Sequence, residues 1–525
     1  MMNCHNYSIY IVFLLFLSSC APQGAGDRAN FDVLIVNGTV YDGSVGSARM
    51  TNIGIAGDSI VSMDASVDAD TELVIDATGL VVHPGFIDPH THARDDLLDR
   101  ERNSNINYLT QGVTTVFIGN DGDGIPQRAA SVATLQKQRI GTNVGFFAGH
   151  NQIRKAVMGL ENRAPSDDEL GQMRDMVSEE MRAGALGLST GLFYTPGSYA
   201  DTAEVIELAK IAAEYGGVYD SHMRDESSYN IGVLGSIKEL IEIGEKANIP
   251  VHAAHLKALG RDVWGQSGDI IALVAAARDR GVDVTADQYP WRASGTRFAS
   301  ALIPGWVRAD SQEAMFGRLE NPDLQDQIRE EMESNLWRRG GEDSMLVTGE
   351  SEWRGMTLGE IAEQLDADPI DAAIEVVRGG NPSIASFNMN PPDISAIGIQ
   401  EWVMTGSDGS AGHPRKYASY PKAYRDFVTG ESLMSMEQFV HRSSGLVADS
   451  FYLCDRGYLA PGRKADIAII DTETYLPVAD FENPTQLSTG VIHLLVNGVP
   501  AIRYGELTNA LSGTVIDRQN LSCPR

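Results

Sequence analysis

Short apolar runs alternate with helical patterns through the middle of the chain, and that alternation constrains the fold most. Val113-Thr114-Thr115-Val116-Phe117-Ile118, Gly187-Leu188-Ser189, Val218-Tyr219, Val251-His252-Ala253-Ala254 and Val282-Asp283-Val284-Thr285-Ala286 read as strands buried on both faces. Between them, Thr202 to Tyr215 and Ile231 to Ala247 carry apolar residues at helical spacing. Alternating β and α over this length predicts an α/β fold, a (β/α)8 TIM-type barrel. In such a barrel, side chains that act on ligands stand where strands end.

The flanks have a different texture. Phe31 to Gly38 is a strand closed by an Asn-Gly turn, and Ile53-Gly54-Ile55 and Ser59-Ile60-Val61 follow. Ala465 to Asp471 and Ile492 to Gly498 repeat the style near the other end. Two such segments can pair into one small β-sandwich, each covering edges the other leaves open. We therefore expect a sandwich from 31–82 and 457–525, and a barrel from 83–297 and 353–456. Residues 298–352 are polar and helix-rich; they read as an insertion on one barrel loop, a candidate lid.

The first residues read as a processing segment. Ile9 to Leu17 is apolar but short for a bilayer span. It ends in Leu17-Ser18-Ser19-Cys20, which resembles the lipobox of bacterial lipoproteins, although no Lys or Arg precedes the run. That resemblance implies a signal peptide at 1–19, lipidation of Cys20 and a tether at 20–30. The protein would then sit in the cell envelope, at the periplasmic face or outer membrane, touching membrane only through its lipid. An ordinary secretory signal, giving a soluble periplasmic protein, is the alternative. Cys20, Cys454 and Cys523 would remain; no Cys-x-x-Cys pair exists, so neither a thiolate zinc site nor a disulfide framework is expected. The 525 residues are 43% hydrophobic, as a globular enzyme is, and a formal net charge of −30 argues against nucleic acid as a partner.

Five places at strand ends carry chemistry. Val81-Val82-His83-Pro84-Gly85-Phe86-Ile87-Asp88-Pro89-His90-Thr91-His92 climbs to two imidazoles that face one way on an extended chain. Imidazole is a common zinc ligand, and catalytic zinc keeps one position open. Ile118-Gly119-Asn120-Asp121-Gly122 ends a strand in a carboxylate. His222 follows the next strand, with Arg224 and Glu226 alternating after it. His255 and Lys257 share one side of a further strand end, whereas His252 has the opposite parity and reads as core. Val403-Met404-Thr405-Gly406-Ser407-Asp408-Gly409 ends in an aspartate, with His413-Pro414-Arg415 beyond.

This order of histidine pair, histidine, histidine and aspartate resembles the amidohydrolase superfamily. Gly149-His150-Asn151-Gln152-Ile153-Arg154, Gly191-Leu192-Phe193-Tyr194-Thr195-Pro196-Gly197, His222-Met223-Arg224-Asp225-Glu226, Asp287-Gln288-Tyr289-Pro290 and Gly457 to Ile467 narrow it. Across nearly the whole mature chain, the sequence is similar to the N-acyl-D-amino-acid deacylases, the D-aminoacylase group. The resemblance implies that His222 and His255 bind a principal zinc and that His90 and His92 hold a second, weaker ion. Asp121 stands where well-known members carry a metal-bridging cysteine. Asp408 would shuttle the proton, and Tyr194, Lys257, Tyr289 and Arg415 would hold the substrate's α-carboxylate. His150, Arg224 and Glu226 are expected to brace the ligands. The implied reaction is zinc-dependent hydrolysis of N-acyl-D-amino acids. A D-residue dipeptidase, another metal-dependent amide hydrolase, and an inactive ligand-binding lipoprotein are the alternatives.

Overall fold

The computed structural model describes residues 1, 29–65, 69–124, 128–518 and 521. The signal peptide, Cys20 and Cys523 lie outside the described residues. The first strand, Ala29–Val36, takes in the last two residues assigned to the tether.

Phe86–Asp88, Val113–Ile118 and Asn143–Phe146 pair in parallel. Ala148–Gly149, Gly187–Gly191, Val218–His222, Val251–Ala253, Val284–Gln288 and Val403–Thr405 form a second parallel run in that order. Phe147 alone separates the two runs. At the far edge Thr91 bridges in parallel to Gly409, and the Asp408 N–H donates to the His90 carbonyl at 2.9 Å. The strand order thus returns to its start. Every residue of Val113–Ile118, Gly187–Gly191 and Val284–Gln288 is buried, which explains the lack of polar alternation.

Helices cover these strands where the periodicity predicted them. Thr202–Glu214 starts at Asp201, whose side chain accepts from Glu204 N–H. Gly232–Ala247 stops at Asn248 in left-handed backbone.

The two chain ends share one core. Ser59–Met63, Ile53–Ala56, Ala29–Val36 and Ala69–Asp76 form a four-stranded sheet. A seven-stranded sheet joins Thr39–Val40 and Val81–Pro84 to Ile467–Ile470, Val491–Val496 and Val499–Arg503. Val33, Ile35, Ile55, Val82, Ile467, Ile469 and Leu495 pack in a single apolar cluster between them. The chain crosses to the parallel strands at Gly85, where a Cβ would meet the Thr114 side chain at 2.3 Å.

Three expectations need correction. The excursion begins at the Ser294–Arg297 strand, which pairs with Ser383–Ser386, itself paired with Met345–Val347. Phe298, Leu302, Met332, Leu358, Val376 and Ile384 give it a core of its own, so it extends well past 352. Its helices Leu358–Leu365 and Pro369–Arg378 are amphipathic like those of the main fold, which hid the boundary. Residues after Leu507 leave the terminal sheets: Gly513 bridges to Ile140 and Val515 to Val144, beneath the parallel strands. Cys454 is disulfide-bonded, a bridge that cysteine spacing did not announce. Among the described residues no helix is long and apolar enough to cross a membrane.

Candidate metal and substrate site

The ligating groups foreseen in the sequence converge at one end of the parallel strands. Asp88 fixes the histidine pair: its Oδ1 accepts from His90 N–H at 3.2 Å and from Ser407 N–H at 3.1 Å, joining the first strand end to the last. Asp121 is bracketed by Ser189, whose Oγ donates to the Gly119 carbonyl and accepts from Gly122 N–H at 3.1 Å. Asp121, His255 and Asp408 have φ of 58°, 37° and 47°, a region that side-chain-bearing residues rarely adopt. Such strain persists where the surroundings impose it, and it collects at functional sites.

Asp121 lies at the centre. Its Oδ1 is 3.4 Å from His90 Nε2, 3.5 Å from His222 Nδ1 and 3.4 Å from His255 Nε2. Its Oδ2 faces His92 Nε2 at 3.6 Å. His222 Nδ1 is 2.8 Å from His255 Nε2, and His92 Nε2 is 3.1 Å from Asp408 Oδ1. Two ligand atoms each about 2.1 Å from a tetrahedral zinc ion lie about 3.4 Å apart. The spacing around Asp121 Oδ1 has that value. Both nitrogens of His90, together with Asp121 Oδ1, are buried without a hydrogen-bond partner. Buried polar atoms are normally satisfied, so these orphans fit a cation between them.

The electrostatics agree. Burial opposes ionisation of Asp121, yet the imidazoles of His90, His222 and His255 hold its carboxyl well below the usual range. Burial also opposes ionisation of Glu226 and Asp408; Lys257, His255 and His222 together for the first, and Arg415, His255, His92 and His90 together for the second, outweigh it and keep both low. Burial and Lys257 push His255 down, but Glu226, Asp408 and Asp121 raise it to about 10. Three ionised carboxylates therefore demand positive charge here, and a divalent cation supplies it with the imidazoles neutral.

No protein-family model matches the chain. D-aminoacylase from Alcaligenes xylosoxydans xylosoxydans is 30% identical over 528 residues, covering 94% of this chain and 99% of that protein. The chain belongs to the D-aminoacylase family of amidohydrolases. N-acyl-D-glutamate deacylase of the same organism is 32% identical over 497 residues, covering 90% of this chain and 93% of the relative. The crystal structure of N-acyl-D-glutamate deacylase from Bordetella bronchiseptica, complexed with zinc and a phosphonate inhibitor that mimics the tetrahedral intermediate, superposes with a TM-score of 0.80. It is 28% identical and covers 93% of this chain and all of that one (100%).

In this D-aminoacylase-family chain, a cavity of about 670 Å3 opens over the cluster, and Tyr194, Lys257, Tyr289 and Arg415 line it. Arg415 Nη1 is 2.7 Å from Asp408 Oδ2, and its guanidinium lies 4.7 Å over the Tyr289 ring. His413 fixes this arginine: its Nδ1 accepts from Arg415 N–H at 3.1 Å, while its Nε2 lies 3.1 Å from the Ala293 carbonyl. The Tyr289 hydroxyl has no partner, and Tyr194 packs 4.6 Å from the His222 ring.

Two supporting assignments change, and Lys257 gains a second contact. Lys257 Nζ already meets Glu226 Oε1 at 2.5 Å, His255 Nδ1 at 2.8 Å and the His255 carbonyl at 2.7 Å. His255 Nδ1 cannot accept from the ammonium while it donates to Glu226, so Lys257 braces His255 with two of its three protons and keeps the third for the cavity that it lines. Arg224 turns away to Glu239 at 2.9 Å because the strand, and its alternation, stops at His222. His150 pairs with Glu204 at 2.9 Å behind the loop, away from the ligands. Glu226 Oε1 lies 3.0 Å from His255 Nδ1, the ring nitrogen opposite the one that faces Asp121.

Sequence reasoning missed Asp287, whose Oδ2 accepts from His255 N–H at 3.0 Å and lies 3.0 Å from His252 Nε2 and 3.9 Å from His90 Nδ1. It also missed Asn151, which exchanges two hydrogen bonds with the Gly191 backbone, at 3.0 Å and 3.2 Å. The signal for Asp287 was the Asp287-Gln288-Tyr289-Pro290 run already noted, in which the aspartate itself was given no role.

Proposed function

We propose that this protein hydrolyses the amide bond of N-acyl-D-amino acids with zinc, releasing a carboxylate and a D-amino acid. The observation that carries the proposal is the Asp121 carboxylate at zinc-like spacing from three imidazoles. His222, His255 and Asp121 would hold the principal ion; His90, His92 and Asp408 would surround a second, weaker position. Zinc, when bound, lowers the pKa of water and polarises the acyl carbonyl.

Asp408 accepts the proton of the attacking water and returns it to the departing nitrogen as the C–N bond breaks. The Tyr194 hydroxyl, kept protonated by burial and then by Asp121, is a donor for the oxyanion. Arg415 and Tyr289 receive the α-carboxylate as a guanidinium–phenol clamp, joined by the third proton of Lys257.

The parallel strands are read as a (β/α)8 barrel carrying a β-sandwich built from both chain ends. Export and lipidation at Cys20 remain part of the reading, and the Cys454 disulfide suits an oxidising compartment. A D-residue dipeptidase would use the same groups, and the volume of the cavity favours testing it. The deciding experiment is amine release by zinc-loaded protein from D/L-paired acyl amino acids and dipeptides. Selective turnover of D-substrates is expected. Turnover of none, with zinc clearly substoichiometric, would favour a ligand-binding lipoprotein.

A further inference from the structure

The run Gly149-His150-Asn151-Gln152-Ile153-Arg154 stands out in the sequence but takes no part in the proposed chemistry. It opens the His150–Met158 helix, directly after the Ala148–Gly149 strand. Its side chains reach two neighbouring strand ends. Gln152 holds the turn that carries Asp121: Nε2 donates to Asp123 Oδ1 at 2.7 Å, and the Gln152 N–H donates to the Gly122 carbonyl at 3.2 Å. Asn151 holds the start of the next loop, where Nδ2 donates to the Gly191 carbonyl at 3.0 Å and Oδ1 accepts from Gly191 N–H at 3.2 Å. His150 Nε2 lies 2.9 Å from Glu204 Oε1, and Arg154 pairs with Glu204 Oε2, beyond the end of that loop. Tyr194 lies between the two fixed ends.

The Asn151 carboxamide is one peptide away from Tyr194. The Gly191 carbonyl that takes its Nδ2 proton also accepts from Tyr194 N–H at 3.0 Å, and Nδ2 lies 3.4 Å from the Tyr194 carbonyl. The surroundings leave no slack. A Cβ on Gly122 would overlap Asn151 Oδ1, and one on Gly197 would come within 2.5 Å of it. A Cβ on Gly191 would overlap the Asp121 carbonyl, so the two loops touch. Asn151 is 8% exposed, and it supplies both the donor and the acceptor that the Gly191 backbone needs. An ionised aspartate there would keep the acceptor and lose the donor.

Resting on the amide-hydrolase reading above, we propose that Asn151 is a positioning residue that registers the Tyr194 loop against the Asp121 turn and so fixes the Tyr194 hydroxyl over the metal position. The Tyr194 ring packs 4.6 Å from the His222 ring, so a shift of the loop moves the hydroxyl relative to a ligand. An oxyanion donor works because its place is set before charge develops, and a misplacement of about 1 Å costs on the order of 100-fold. His150 and Arg154 secure the far end of the loop through Glu204.

The test is a double-mutant cycle on zinc-loaded full-length protein with an N-acetyl-D-amino acid. Asn151→Asp should lower kcat about tenfold or more, with KM changed little and zinc content equal to wild type. In the Tyr194→Phe background the same substitution should cost less than about twofold, because the hydroxyl that it misplaces is gone. An undiminished kcat, an equal loss in both backgrounds, or a loss of zinc overturns the role. Unchanged kcat in Tyr194→Phe alone overturns it too, since there is then no donor to place. If Asn151→Asp does not fold, the shorter Asn151→Ser carries the same cycle. If wild type hydrolyses no compound, the hydrolase reading fails by itself. Hydrogen exchange then judges the registration: faster exchange over 191–199 in the Asn151 variant, with 187–190 still protected, sustains it, and unchanged exchange ends it.

Discussion

Lys257 and Glu226 form a closed pair behind the metal ligands, with Nζ 2.5 Å from Oε1. Both groups also reach His255 Nδ1, at 2.8 Å and 3.0 Å. A partner on the outer nitrogen of a ligating imidazole fixes its orientation and commonly governs metal affinity. Glu226→Gln and Lys257→Met should therefore each weaken zinc binding about 10–100-fold. Competition with a chromophoric chelator measures this, and wild-type affinity in both variants would refute the bracing role.

Arg415 and Lys257 then share the α-carboxylate. Arg415→Met should raise KM for an N-acyl-D-amino acid by about tenfold or more, and much less for the corresponding α-amide. Lys257→Met should show the same split on top of its weakened zinc binding. Steady-state kinetics on the two substrates decide it; a Lys257 effect equal on acid and amide would leave the carboxylate to Arg415 alone.

Asp121 and Asp408 offer a contrast at equal change of charge. Asp121 faces four imidazoles, whereas Asp408 faces Arg415 and His92. Asp121→Asn should lose zinc. Asp408→Asn should keep the principal ion and lose about 10²–10⁴-fold in kcat. Metal content and kcat measured on the same preparations separate the roles, and metal loss in Asp408→Asn with full retention in Asp121→Asn would reverse them.

His83 makes a prediction away from the cavity. It is fully buried in the Val81–Pro84 strand, stacked 4.3 Å from Phe86, and burial pushes it down to about 4 although the Pro84 carbonyl pulls upward. The unfolded chain takes up this proton near 6.5, the folded chain only near 4. Between those values the unfolded state holds more protons, so stability falls as pH drops through that window. The loss is roughly 3 kcal/mol once pH is below 4. His83→Phe should remove that part of the slope in denaturant melts between pH 7 and 4; an identical slope would show that His83 carries none of it.

The ligands were legible because each follows an apolar strand and the strand end supplies the geometry. Two-residue parity placed His90 with His92 and set His252 apart, and the structure buries His252 against Asp287 and Thr285. Parity also placed Lys257 beside His255. Spacing tells which way a side chain faces but not which of its protons are already engaged, and Glu226, which takes one of them, lies 31 residues away. Arg224 failed because alternation ends with the strand. The extent of the excursion was hidden because an amphipathic helix has the same pattern whichever core it covers.

The strand that leads into His90 and His92 is held by Ile467–Ile470, and the strand leading toward His150 by Thr514 and Val515. A ribosome must release almost the entire polypeptide before either anchor exists. Any ion that needs the assembled cluster can therefore be taken up only after those late segments have been synthesised and docked.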